Sequence, residues 1–156
     1  MRNGMLERYH DGLAKCGFRR LSKPRDPTSL SEFYSQVPYR YPPLFEDLCL
    51  SCYWADAVIG DVEFCVNPVG DDLQGLAASV RYDSHLWDFL VMKGHLIFGR
   101  MSEGRYDPCA FDTMRRKGAD APVVRVDHEQ ILSFQRLGQP VPLVRSFKDL
   151  LDLSLS

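Results

Sequence analysis

The fold is decided by LWDFLVMKGHLIFGRMSEGRYDPCAFD (residues 86–112) and, after a polar loop, by PVVRVDHE (residues 122–129). The first segment begins with an aromatic helix that Gly94 ends, since glycine readily takes the left-handed conformation after a last helical turn. A hydrophobic run, a tight turn and a second hydrophobic run follow, and the second segment adds a third strand. This order predicts a small curved sheet with helices packed on it.

Helical patterns lie on both sides of this centre. A first helix is predicted over residues 5–16, Pro42-Pro43 favours the start of another, and Ser146 caps a closing helix. Two strands are predicted at residues 53–59 and 62–66. Because the strands are sequential and closely linked, we predict a single α+β domain with a largely antiparallel curved sheet of about five or six strands.

Length and composition indicate a soluble globular protein. The chain has 156 residues, enough for one domain with a single core. No apolar run approaches the roughly 18 residues of a membrane helix, and charges stand where a signal peptide needs an apolar segment, so we expect a cytoplasmic protein. Five cysteines at irregular spacing favour reduced thiols over a disulfide framework.

Charge is unevenly distributed along the chain. Residues 41–80 contain seven Asp or Glu and no Lys or Arg, although the whole chain has a net charge of only −2. Acids that share one face would attract a basic partner, and an exposed aromatic residue would anchor it. The alternative is an ordinary solvated surface. The candidate partner-binding residues are Glu46, Asp47, Trp54, Asp56, Asp61, Glu63 and Asp112.

Two short motifs suggest chemistry. Cys49 and Cys52 form a CxxC pair, but zinc would need further ligands at a suitable spacing, so we interpret them as two buried thiols. Asp127 and His128 could serve as an acid/base pair or as metal ligands with a partner such as Asp112 on a neighbouring strand. The alternative for this pair is that Asp127 or His128 caps the following turn.

The central segment resembles the centre of the SUKH superfamily, the Smi/Knr-like proteins. Trp87, Gly104 and Asp112 stand at the family's tryptophan, turn glycine and strand-ending aspartate. APVVRVDHE is similar to the family's next strand, RSFKDLL to its closing helix, and YPPLFEDL to its early helix. The resemblance covers residues 42–151 and leaves residues 1–41 as an N-terminal helical extension.

The resemblance implies an α+β domain that binds a partner and does not catalyse a reaction. Many bacterial members of the family look like immunity proteins that neutralise toxins, and eukaryotic members act as regulators or scaffolds. We therefore expect a protein partner, such as a basic nuclease toxin, with no cofactor, no metal, no membrane and no direct nucleic-acid binding. The alternatives are a regulatory scaffold of the same family and a small metal-dependent hydrolase that uses Asp112, Asp127 and His128.

Overall fold

The computed structural model describes residues 3–103 and 107–156, which form one α+β domain, as predicted. Their helices are α1 (Asn3–Glu7), α2 (His10–Cys16), α3 (Thr28–Phe33), α4 (Pro43–Ser51), α5 (Gln74–Val80), α6 (Ser84–Val91), α7 (His128–Phe134) and α8 (Phe147–Leu153). Their strands are β1 (Arg19–Arg20), β2 (Cys52–Tyr53), β3 (Val58–Ile59), β4 (Val62–Phe64), β5 (His95–Met101), β6 (Pro108–Asp112), β7 (Val123–Arg125) and β8 (Val141–Val144).

The main sheet is an antiparallel meander in the order β3-β4-β5-β6-β7-β8. Its central strands β5, β6 and β7 come from the two segments at residues 86–112 and 122–129. Ile97 pairs with Ala110, and Ala110 pairs with Val124, so these three side chains share one face. The predicted turn glycine Gly104 lies outside the described residues.

One face of the sheet holds an aromatic core. The rings of Phe98 and Phe111, on β5 and β6, stack with their centroids 4.3 Å apart. Phe45 of α4 lies 5.6 Å from Phe98, and Phe147 of α8 lies 5.4 Å from Phe45. The ring separations that involve Phe45 are typical of favourable aromatic pairs, so α4 and α8 pack on this face.

The opposite face is only partly covered. Ile97 of β5 points away from the aromatic core, because neighbouring side chains on a strand point to opposite faces. It meets Val80 at the end of α5, Leu86 of α6 and Leu132 of α7 around one groove. Helices therefore lie on both faces of the sheet, which explains why β5 is a nearly continuous hydrophobic run with no polar alternation.

The N-terminal residues belong to the same core. The ring of Phe18 lies 4.8 Å from that of Trp54 and 5.0 Å from that of Phe64. Strand β1 pairs with β2, and the hydroxyl of Tyr9 donates to Asp152 of α8 at 2.6 Å. Residues 3–41 are thus packed against both the middle and the end of the chain.

Three predicted helix ends are confirmed, whereas the helix predicted over residues 5–16 is divided into α1 and α2. Gly94 has a φ of 78°, in the left-handed region, Pro43 opens α4, and the Ser146 hydroxyl accepts from the Asp149 N–H at 3.1 Å. The strand predicted over residues 53–59 is wrong, because Trp54 forms an isolated bridge and only β2 and β3 remain extended. None of the helices in the described ranges has both the length and the apolar character that a membrane crossing requires.

Candidate functional site

Four residues of the predicted partner-binding surface are buried. Glu46 accepts hydrogen bonds from Tyr34 at 2.8 Å and Arg40 at 3.1 Å, and the Trp54 indole donates to the Cys65 carbonyl at 2.6 Å. The structure therefore corrects the prediction for these four, because a side chain in the core cannot meet a partner. The buried four are Glu46, Asp47, Trp54 and Asp112.

The other three predicted surface residues lie at or near the surface. Asp56 and Asp61 are exposed, and Glu63 is half-buried. Glu63 accepts from the Arg100 guanidinium at 3.1 Å, so its charge is partly balanced. The exposed acids of this region are therefore fewer than the sequence predicts.

The CxxC pair is confirmed as two buried thiols. Cys49 lies in α4 and Cys52 begins β2, and both are free thiols. Burial raises the pKa of each, well above the usual value for Cys49. A raised thiol pKa keeps the unreactive protonated form at neutral pH.

Asp127 and His128 meet a different aspartate from the one predicted. The buried Asp107, just before β6, accepts hydrogen bonds from Nδ1 of His128 at 2.7 Å and from its backbone N–H at 3.2 Å. Because a carboxylate accepts hydrogen bonds, Nδ1 is the ring nitrogen that carries the proton in this contact. Nε2 is then the ring nitrogen that can form a further hydrogen bond. Arg125 lies 3.7 Å from the other Asp107 oxygen.

Asp127 caps helix α7. Its carboxylate accepts from the Glu129 N–H at 2.9 Å, which satisfies a donor of the first helical turn. The capping interpretation of this segment is therefore confirmed. Asp107 and Asp127 each accept one backbone N–H at the start of α7, and the bond to Asp107 links this helix to the start of β6.

Asp112 does not join Asp127 and His128, which contradicts the predicted catalytic set. It ends β6, five positions from Asp107, or about 17 Å along an extended strand. There it lies 3.9 Å from Nε2 of the buried His95 and 3.6 Å from Arg115. Burial lowers the pKa of His95, and the Asp112 carboxylate opposes that shift.

The Asp107 cluster has the ligand types of a metal site. One ligand atom from each of Asp107, Asp127 and His128 lies within 4.8 Å of the others. They line a cleft of about 800 Å³ beside Arg125 and Glu129. An ion bound to Nδ1 of His128 would have to replace the proton that Asp107 now accepts, and the nearby Arg125 cation would repel it.

A second cavity, of about 740 Å³, is the groove between α5, α6 and α7 over the partly covered sheet face. We call it the α5–α7 groove; its apolar lining includes Val66, Val80, Leu86, Ile97, Pro108 and Leu132. Tyr82, in the α5–α6 connection, stands at its rim with 93 % of its surface exposed, and Leu132 is 46 % exposed. This groove could not be predicted from the sequence, because its residues come from five separate parts of the chain.

Comparison with known proteins gives no match, either among protein-family models or among curated proteins.

Proposed function

We propose that this protein is a non-catalytic protein-binding domain, specifically an immunity protein that neutralises a toxin by covering part of its surface. The observation that carries the proposal is the α5–α7 groove, an apolar cavity of about 740 Å³ open to solvent. Exposed apolar patches of this kind mark interaction sites on soluble proteins. The resemblance of residues 86–112 to the SUKH superfamily supports the same role.

The exposed aromatic residue of the groove favours a protein partner. Tyr82 offers a large ring and a hydroxyl at 93 % exposure, and tyrosine is enriched among residues that dominate binding energy at interfaces. Leu132 and Val66 add exposed apolar surface beside it. The free thiols favour a reducing compartment, so we propose the cytoplasm as the place of action.

The proposal is tested with the toxin encoded by the gene next to its own. We expect the purified chain to form a stoichiometric complex with that toxin and to abolish its activity at equimolar concentration. Absence of a complex at micromolar concentrations would contradict the immunity role. A neighbouring gene that encodes no toxin would favour the regulatory scaffold of the same family.

A second candidate is a small metal-dependent hydrolase, which the Asp107, Asp127 and His128 cluster favours. The open cleft of about 800 Å³ beside the cluster could admit a substrate. This candidate predicts hydrolysis of a phosphodiester or ester in the presence of Zn²⁺ or Mn²⁺. It also predicts loss of that activity in both Asp127→Asn and His128→Gln, whereas His85→Gln, an exposed histidine outside the cluster, keeps it.

A further inference from the structure

The α5–α7 groove opens onto an uncovered part of the sheet. On β4, Val62 and Phe64 are buried in the core, so Glu63 between them points to the groove side. Val58 of the edge strand β3 pairs with Glu63 and therefore shares that face, where it is exposed. The apolar groove thus continues as an open, partly apolar strand surface.

Acidic side chains outnumber basic ones at the rim of this surface. Glu63 and Asp83 line the groove, and Asp61 lies in the turn that leads into β4. The exposed Glu103 lies close to Asp61 in the chain fold, because the N–H of the preceding residue, Ser102, donates to the Asp61 carbonyl at 2.9 Å. Among the described rim residues Arg100 is the single Lys or Arg, and it is paired with Glu63.

From this combination we infer that the groove binds a protein segment in which a bulky apolar side chain is flanked by Lys or Arg. The inference rests on the proposed function and gives the chemistry of the partner. The apolar side chain would fill the space between Ile97, Leu86 and Leu132, where burial of apolar surface is the main source of affinity. The flanking cations would meet the acidic rim, which speeds association and selects against acidic partners.

The probes are two fluorescein-labelled peptides, KKLWLKK and EELWLEE, titrated against the whole chain and followed by fluorescence anisotropy. We expect the basic peptide to bind at least about tenfold more tightly at low salt, because like charges across an interface are unfavourable. About 1 M salt should remove most of this preference, since it screens exposed charges. Equal affinities for the two peptides at low salt would overturn the charge assignment.

Two matched variants on one helix locate the binding surface. Leu132 lines the groove, whereas Phe134 is exposed on the same helix, α7, but does not line it. We expect Leu132→Ser to weaken the basic peptide by about tenfold and Phe134→Ser by less than about twofold. Both positions are exposed, so circular dichroism and the melting temperature should show an intact fold. Equal effects of the two substitutions, or no binding of either peptide, would overturn the groove assignment.

The acidic rim has its own matched pair. Asp61→Asn with Glu63→Gln removes charge in the groove lining and in the turn beside it, and Asp71→Asn with Asp72→Asn removes the same charge at an exposed site away from the lining. We expect only the first pair to weaken the basic peptide, by several-fold at low salt. Equal weakening by both pairs would contradict a local acidic rim.

The outcomes separate this inference from the proposed function. A Leu132→Ser chain that still neutralises the neighbouring toxin would overturn the groove as the docking site and leave the immunity role standing. A wild-type chain that binds KKLWLKK in a Leu132-dependent way but inhibits no toxin would support the groove and contradict the immunity role.

Discussion

Nδ1 of His128 lies 2.7 Å from Oδ1 of Asp107, and this hydrogen bond joins the start of helix α7 to the residue that precedes strand β6. Asp107 also accepts the backbone N–H of His128, so one buried carboxylate fixes both the ring and the helix end. Helix α7 in turn carries Leu132 into the wall of the α5–α7 groove. The Asp107–His128 pair therefore positions a wall of the proposed binding surface.

We expect Asp107→Ala to lower the free energy of unfolding by about 2–3 kcal/mol, because it leaves two donors of His128 without their buried acceptor. The matched control is Asp127→Ala, which removes an exposed cap of the same helix and should cost about 1 kcal/mol. Urea unfolding measures both. Equal losses would show that Asp107 contributes no more than an exposed cap.

Arg25 is expected to be a major stabilising residue of the N-terminal part. Its buried guanidinium donates to four carbonyl oxygens, those of Cys49, Cys52, Pro68 and Gly70, at 2.6–3.0 Å. We predict that Arg25→Met lowers the free energy of unfolding by about 3 kcal/mol or more, because hydrogen bonds to a charged donor are lost together.

The control for Arg25 is a surface arginine. Arg20 is largely exposed and forms an ion pair with Glu7 at 3.8 Å. Arg20→Met should change the free energy of unfolding by less than about 1 kcal/mol, as is usual for exposed pairs. Similar losses in the two variants, measured by urea unfolding, would refute the role assigned to Arg25.

Phe18 tests whether the N-terminal residues are part of the domain. Its buried ring contacts Trp54 and Phe64, so Phe18→Ala should cost about 3–5 kcal/mol through lost burial and a cavity. Val69→Ala, at a position that is 71 % exposed, should have almost no effect.

We also expect a chain that begins at residue 42 not to unfold cooperatively, and a sharp thermal transition of that chain would contradict this prediction.

Stability should fall at alkaline pH. Burial, aided by the hydrogen bond to Asp152, raises the pKa of Tyr9 to about 12, and burial raises the pKa of Cys65 to about 11 and of Cys109 to about 12. Since each pKa is higher in the folded chain, the unfolded chain releases these protons first as pH rises. Each neutral side chain therefore contributes its full stabilisation below its ordinary pKa, which is 9.0 for cysteine and 10.0 for tyrosine. This stabilisation is lost as the pH rises above that value.

The measurement is urea unfolding between pH 7 and pH 11 under reducing conditions. We expect the free energy of unfolding to decline from about pH 9 upward. The Tyr9→Phe variant has no hydroxyl to titrate and so lacks the pH-dependent contribution of Tyr9. The difference in the free energy of unfolding between wild type and variant should therefore narrow above about pH 10. A constant difference across this range would contradict the raised pKa of Tyr9.

Local structure was largely predictable because its causes are local. The left-handed φ of Gly94, the opening of α4 at Pro43 and the cap at Ser146 depend on residues within a turn of each position. The order of β5, β6 and β7 was also predictable, since short connections make sequential strands neighbours. The number of acidic residues in 41–80 did not predict how many of them are exposed. The buried Glu46 carboxylate, for example, accepts hydrogen bonds from Tyr34 and Arg40.

The sequence by itself determined the α+β class, the antiparallel strands and several helix ends, because hydrophobic period, turn residues and caps act over a few positions. Only the tertiary structure decided that His128 meets Asp107 and not Asp112, since the two aspartates stand at opposite ends of β6. The α5–α7 groove was likewise decided by packing. Its walls come from distant parts of the chain, and which face of a sheet stays uncovered depends on how all the helices pack together.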